Sequence, residues 1–279
     1  MKIQPNPILQ RALLDPPWSF PNGAKLPGTG PVARDDWMRV DDAFADQMAL
    51  RERLIAQATG AVHALLPKGR AAADELLEMA LAVLRARDGF QVAEAAVTRP
   101  DGVTVALERA EPLMTLGRLV QEDFCLLDKQ GSEHVLTGAI LCFPASWSLA
   151  EKIGRPLVGI HEPVESYDEN VATRVQRLFN ALHADRPIMR ANCLPYADFE
   201  LFQPRPEDAR RSRPIKAEAV FIRAERQCLL RLPRTGAVAF SIHTSVVHRD
   251  AMDAAERAAL ASHLAEHTHL LGEERGTVG

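Results

Sequence analysis

Residues 218–247 read EAVFIRAERQCLLRLPRTGAVAFSIHTSVV, and two β-prone stretches within them, 218–231 and 237–247, decide the fold class. Both are rich in the β-branched and aromatic side chains that suit a pleated, half-buried backbone. Side chains alternate along an extended chain, so Arg223, Glu225 and Gln227 fall on one face and Arg226 on the other. A third β-prone stretch lies at about 188–195, separated from the first two by the proline- and arginine-rich segment Gln203 to Lys216, read as a solvated loop. Further out, Asp123 to Asp128 and His134 to Phe143 flank Gln130-Gly131-Ser132, and Gln91 to Thr98 and Val103 to Leu107 flank Pro100-Asp101-Gly102. Each set is expected to form a hairpin.

Helical periodicity occupies the remaining segments. Asp41-Asp42 offer an N-cap to a helix carrying Met48, Leu50, Leu54 and Ile55. A second helix is expected from about Ala71 to Arg87, with Leu76, Leu77, Ala80, Leu81 and Leu84 on one stripe and Asp88-Gly89 as its stop. Tyr167 to His183 carries Val171, Val175, Leu178, Phe179 and Leu182 at helical spacing, and an amphipathic helix with Leu260, Leu264 and Leu271 starts at Asp253. Residues 1–40 are rich in proline and glycine and read as an extended segment anchored by Trp18 and Trp37. The order implies an α+β fold, a mostly antiparallel sheet with flanking helices. The expected organisation is an extended segment, 1–40, and a single domain, 41–279, with a helical part at 41–88, a sheet-bearing core at 89–250 and a C-terminal helix at 251–272.

The 279 residues are 47% hydrophobic and 25% charged, which excludes a disordered tail, a collagen-like fibre and a disulfide-stapled miniprotein. Net charge is −4, so no global attraction draws the chain to nucleic acid or an anionic membrane. No apolar run reaches the roughly 18 residues of a membrane span, and Met1 to Asp15 lack the apolar core of a secretory signal. Cys125, Cys142, Cys193 and Cys228 form no CxxC, which argues against a structural zinc, a thioredoxin-like motif or covalent c-type haem attachment. A reduced, cytoplasmic chain is expected. Glycine-rich dinucleotide and phosphate loops and the G-x-S-x-G elbow are missing. His263, His267 and His269 read as a solvated helix end.

A band of unusual residues remains. In chain order it contains Gln121-Glu122-Asp123, Cys142-Phe143-Pro144 with Trp147, Lys152-Ile153-Gly154, Ile160-His161 with Pro163-Val164, and Arg190-Ala191-Asn192. It continues with R-x-E-R-Q-x-L-x-R-L-P from Arg223 to Pro233 and F-x-I-x-T from Phe240 to Thr244. Each motif is weak alone, but in this order they resemble the haem-dependent oxidative N-demethylase alpha-subunit-like family, which includes the large subunit of dimethylamine monooxygenase. The resemblance implies haem b held without covalent attachment in a PAS-like pocket at 89–250. It implies O2-dependent oxidation of a small methylated amine with release of formaldehyde, using electrons from NADPH through a separate flavin and iron–sulfur reductase. The chain would be the oxygenase component, with the amine, O2 and the reductase as partners, and neither nucleic acid nor membrane. The alternatives are a non-catalytic PAS-like haem- or ligand-binding sensor and an interaction module with a decayed pocket.

On this resemblance His161 is the axial ligand of the haem iron, since a semi-rigid, apolar setting suits a neutral imidazole. The alternatives are a core histidine bonded to backbone, and His243 as the ligand instead. Arg190, Arg223 and Arg226 are candidates for the propionates through charge-assisted hydrogen bonds, with Arg231 a further one. Glu225, beside Arg223, would hold a cationic alkylammonium or relay protons, which makes the two the catalytic pair; the competing role is a buried ion pair that fixes the sheet. Tyr167 and Asn192 join Glu225 as substrate-binding candidates. Three positions depart from the family pattern: Cys193 where a tryptophan commonly stands, Ser245 where a tyrosine does, and Glu165 where a proline does. They are expected along the pocket wall or haem edge, where they bear on substrate identity and haem occupancy.

Overall fold

A computed structural model describes residues 8–20, 28–161, 169–209, 214 and 217–267, with the side chains of 161 and 169–172 outside the description. In chain order the strands are β1 (Gly30–Pro31), β2 (His63–Leu65), β3 (Gln91–Val92), β4 (Ala96–Thr98), β5 (Thr104–Ala106), β6 (Asp123–Gln130), β7 (Glu133–Ile140), β8 (Ile188–Tyr196), β9 (Phe221–Arg231) and β10 (Val238–His248). The helices are α1 (Phe44–Gln57), α2 (Thr59–Val62), α3 (Arg70–Arg85), α4 (Pro112–Leu119), α5 (Leu149–Lys152), α6 (Leu157–His161), α7 (Glu169–Ala181) and α8 (Ala254–Glu266). The fold is α+β. Seven strands pair antiparallel in the order β1-β8-β9-β10-β6-β7-β2, and β3, β4 and β5 form a separate small sheet.

The large sheet is covered on both faces, which is why β9 and β10 are buried along nearly their whole length. Cross-strand partners share a face. The first face carries Arg223, Glu225, Gln227 and Leu229; there Leu149 of α5, Leu157 of α6, and Phe179 and Leu182 at α7 pack on Cys125, Leu127, Leu229 and Val238. The second face carries Ala224, Arg226, Cys228 and Leu230. Trp37, α1, α3 and α4 cover it through Met48, Leu76 and Leu116, which pack with Phe124, Leu126, Leu230 and Ala239. Further along the same face, Trp18 and Leu260 of α8 pack with Cys193, Ile222, Ala224 and Val247. α8 begins with a reciprocal cap, in which Glu256 N donates to Asp253 Oδ1 at 2.8 Å and Asp253 N to Glu256 Oε2 at 2.9 Å.

Several elements differ from expectation. Ala43, not Asp41 or Asp42, is the N-cap of α1, and the chain after Gln57 forms the short helix α2 and strand β2. The run Gln91 to Thr98 divides into β3 and β4, because Ala93 N bonds back to Ala96 O at 2.9 Å and turns the chain at Ala93-Glu94-Ala95. Pro100-Asp101-Gly102 therefore links β4 to β5, with Gly102 at φ 81°. α4 was not signalled by the sequence; it spans eight residues and opens on Pro112. Gly117 lets α4 approach β7, since a Cβ there would meet Ile140 Cγ1 at 2.6 Å. Among the described residues no helix is long and apolar enough to cross a membrane.

One carboxylate ties the layers together. Asp123, at the start of β6, accepts from Arg51 Nη1 at 2.7 Å and from the backbone N–H groups of Cys142 and Phe143 at 2.7 and 2.8 Å. Arg51, wholly buried in α1, also donates to the carbonyls of Gly117, Gln121 and Glu122. Helix α1, helix α4 and both ends of the β6–β7 hairpin thus meet at one guanidinium. Removing one partner leaves the other charge buried and uncompensated, which costs about 3–5 kcal/mol. Arg51→Met is therefore expected to lower the urea-unfolding free energy by about that amount, and a loss below about 1 kcal/mol would show that the ion pair does not hold the layers.

Candidate functional site

The first sheet face carries a row of polar residues set by register. Asn192 of β8, Glu225 of β9 and Thr244 of β10 are direct cross-strand partners, and Arg190 lies opposite Gln227 in the adjacent row. Glu225 is buried and central: its Oε2 accepts from Gln227 Nε2 at 2.9 Å and Asn192 Nδ2 at 3.2 Å, and its Oε1 from Arg223 Nη2 at 3.3 Å. Four polar atoms in and beside this row are buried without a hydrogen-bond partner: Arg190 Nε, Asn192 Oδ1, Arg223 Nε and Thr244 Oγ1. Native interiors rarely leave such atoms unpaired, because each costs roughly 1–3 kcal/mol. Arg190 makes no ion pair within 4 Å among the described residues, and burial pushes its guanidinium below the ordinary arginine range against the pull of Glu225.

Arg223 is positioned from the structural core. Its Nη2 donates to Phe143 O at 2.5 Å and its Nη1 to Leu201 O at 3.2 Å, while its guanidinium lies 5.9 Å from the Tyr196 ring centroid. Phe143 is the residue whose N–H Asp123 holds, so the Cys142-Phe143-Pro144 motif passes the position of β6 on to Arg223 and then to Glu225. A cleft of about 350 Å³ opens beside Tyr196, lined also by Ser146, Asp198, Gln203 and Arg205. Ser146 adopts φ 65°, unusual for a residue with a side chain, and its N–H donates to Gln203 O at 3.1 Å.

The structure thus brings together Arg190, Asn192, Arg223 and Glu225, and adds Gln227 and Thr244. The signal for Thr244 was the period-two spacing of Phe240, Ile242 and Thr244, which puts all three on the face of Glu225. The backbone of His161 ends α6, on the same side of the sheet; its side chain, together with Tyr167 and Glu165, lies outside the described residues. The donor set fits a haem: the unpaired Arg190 and Arg223 Nε donors match the carboxylate oxygens of its propionates, and Asn192 Oδ1 is an unused acceptor beside them. The model of one protein family, described as haem-dependent oxidative N-demethylase, alpha subunit-like, matches residues 28–277.

The other candidates lie apart from this row. Arg226 is on the second face and is already engaged, with Asp15 at 2.7 Å, Asp36 at 3.3 Å and Cys228 Sγ at 3.0 Å. Arg231 holds the C-terminal end of α7 through the carbonyls of Phe179 and Leu182. Cys193 and Ser245 flank Ala224 on the second face, where Cys193 packs in one cluster with Leu260 of α8, so neither shares the face of Glu225. His243 is also on the second face, with Nδ1 2.9 Å from Glu122 Oε1 and Nε2 2.9 Å from Asp41 Oδ2. A ring with both nitrogens bonded to carboxylates has no lone pair for a metal, which removes the alternative axial ligand.

Burial alone would push the His243 pKa down, but Asp41 and Glu122 outweigh it and hold the ring at about 9, against an ordinary 6.5. A raised folded-state pKa stabilises fully below about 6.5, and that contribution is lost as pH rises through about 9. Across this window the loss amounts to roughly 3 kcal/mol. The thermal midpoint is expected to fall between pH 7 and 9.5, and His243→Gln to be less stable at pH 7 with a flatter profile. Parallel pH profiles for the two proteins would contradict this.

Proposed function

Since the chain belongs to the haem-dependent oxidative N-demethylase, alpha subunit-like family, we propose that it is the oxygenase component that removes an N-methyl group from a small methylated amine. The observation that carries the reading is the buried Asn192–Glu225–Thr244 row, with unpartnered polar atoms beside it on one sheet face. Haem b, when bound, supplies the iron at which O2 is reduced, a redox capacity that no side chain here possesses. Arg190 would hold a propionate and His161 would serve as the axial ligand.

Glu225 binds and orients the amine. Its Oε2 already accepts two hydrogen bonds, whereas Oε1 receives the 3.3 Å bond from Arg223 and keeps acceptor capacity for an ammonium N–H. Asn192 Oδ1, in the same row, accepts a second N–H or the proton of a bound water. Arg223 and Gln227 keep the carboxylate from swinging away, so the amine meets a fixed acceptor. In the overall reaction one oxygen atom leaves in formaldehyde and the other in water, with two electrons and two protons completing the balance. The electrons come from NADPH through a separate flavin and iron–sulfur reductase, consistent with the missing dinucleotide fingerprint and cysteine set.

With haem and a competent reductase supplied, dimethylamine is expected to drive O2 uptake and formaldehyde release. Glu225→Gln should lower kcat/KM for the amine by roughly 10²-fold or more with the Soret band intact. His161→Ala should lose or strongly perturb that band, and Arg190→Met should weaken haem retention by roughly tenfold or more. A chain that takes up no haem would overturn the reading. Stoichiometric haem without amine-dependent O2 uptake would turn it into that of a sensor.

A further inference from the structure

Lys152, which closes α5, is a buried cation that the proposed reaction does not use: its side chain is only 6% exposed. Its Nζ donates to the carbonyl of Ile160 at 2.7 Å and pairs with Glu207 Oε1. Ile160 directly precedes His161 at the C-terminal end of α6, where carbonyls lack helical partners and a cation is favoured. Glu207 is itself shared: Arg155 Nη1 reaches the same Oε1 at 2.9 Å, and Glu207 N–H donates to the Glu151 carboxylate at 3.2 Å. Lys152, foremost among its partners, holds the Glu207 carboxyl below the usual range. The turn between α5 and α6 is tied to β7, with Gly154 N bonded to Leu136 O at 2.8 Å and Leu136 N to Arg155 O at 3.0 Å. Gly154 makes that turn at φ 81°, a conformation suited to glycine.

A short helix of five residues has little stability of its own, so its last carbonyl is fixed by whatever holds it from outside. We propose that Lys152 is a positioning residue: through Ile160 O and Glu207 it sets the backbone from which His161 projects and ties it to the loop at 203–209. The inference rests on the preceding reading only where it assigns His161 to the haem iron. The clamp itself is a property of the haem-free chain. It gives the Lys152-Ile153-Gly154 motif a role: the lysine grips α6, and the glycine makes the turn that lets it do so.

Hydrogen exchange of the amides from Val158 to His161 in the haem-free chain, paired with haem titration, separates the two. Lys152→Met is expected to speed exchange at those amides, to weaken haem affinity at least tenfold and to shift the Soret band. Lys152→Arg, which still reaches the carbonyl, should restore all three toward wild type. Should Lys152→Met fail to fold, Glu207→Gln, at the exposed end of the clamp, should change exchange and affinity in the same direction. Unchanged exchange would overturn the clamp, and faster exchange with wild-type haem affinity and spectrum would overturn its role toward His161. Faster exchange in a chain whose wild type binds no haem would keep the clamp and remove the haem reading instead.

Discussion

Asp123 sits where the helical layer, the sheet and the site-bearing strands meet, and its three short hydrogen bonds determine how those parts register. Arg51 brings α1 to the carboxylate, and the Cys142 and Phe143 amides bring the chain leaving β7. The Phe143 carbonyl then takes Arg223, which holds Glu225. A buried carboxylate is tolerated only when its charge is paired and its lone pairs are filled. Asp123 meets that condition with a guanidinium from α1 and two adjacent backbone amides from the segment after β7. Shifting any of them leaves an uncompensated charge, so the position of Glu225 inherits the rigidity of the core.

Both sheet faces bury charged side chains. On the second face His243 and Arg226 are matched by Asp41, Glu122, Asp15 and Asp36, and the N-terminal segment is pinned in the process. On the first face Arg190 Nε, Asn192 Oδ1, Arg223 Nε and Thr244 Oγ1 are buried without a hydrogen-bond partner, and beside the second-face cluster so are Arg39 Nε and Glu122 Oε2. A buried polar atom left unpaired raises the energy of the fold until a partner is supplied.

Much of this was legible in the sequence. The strands around Arg223 and Thr244 declared themselves by β-branched composition, and alternation placed Glu225, Arg223 and Gln227 on one face, where they are. Alternation also put Arg226 on the other face, although motif reasoning still counted it among the haem ligands. What the sequence could not show was which polar residues would be satisfied. His243 and Arg226 find partners in Asp41 and Asp15, more than 200 residues away along the chain, and such pairings follow from packing alone. The same limit applied to Cys193 and Ser245, whose departure from the family pattern looked like a change in the pocket. They lie on the second face instead. Thr244 was visible in the period of F-x-I-x-T but was overshadowed by the histidine beside it.

Whether the unpartnered atoms of the first face serve haem and amine together is tested most directly by an absorption titration of the haem-loaded chain with dimethylamine. A saturable Soret shift is expected in wild type and a strongly weakened one in Glu225→Gln, because on the proposed reading the carboxylate brings the amine to the haem. A wild-type spectrum that does not respond, or an equal shift in both proteins, would contradict the assignment of Glu225 and of the face it occupies.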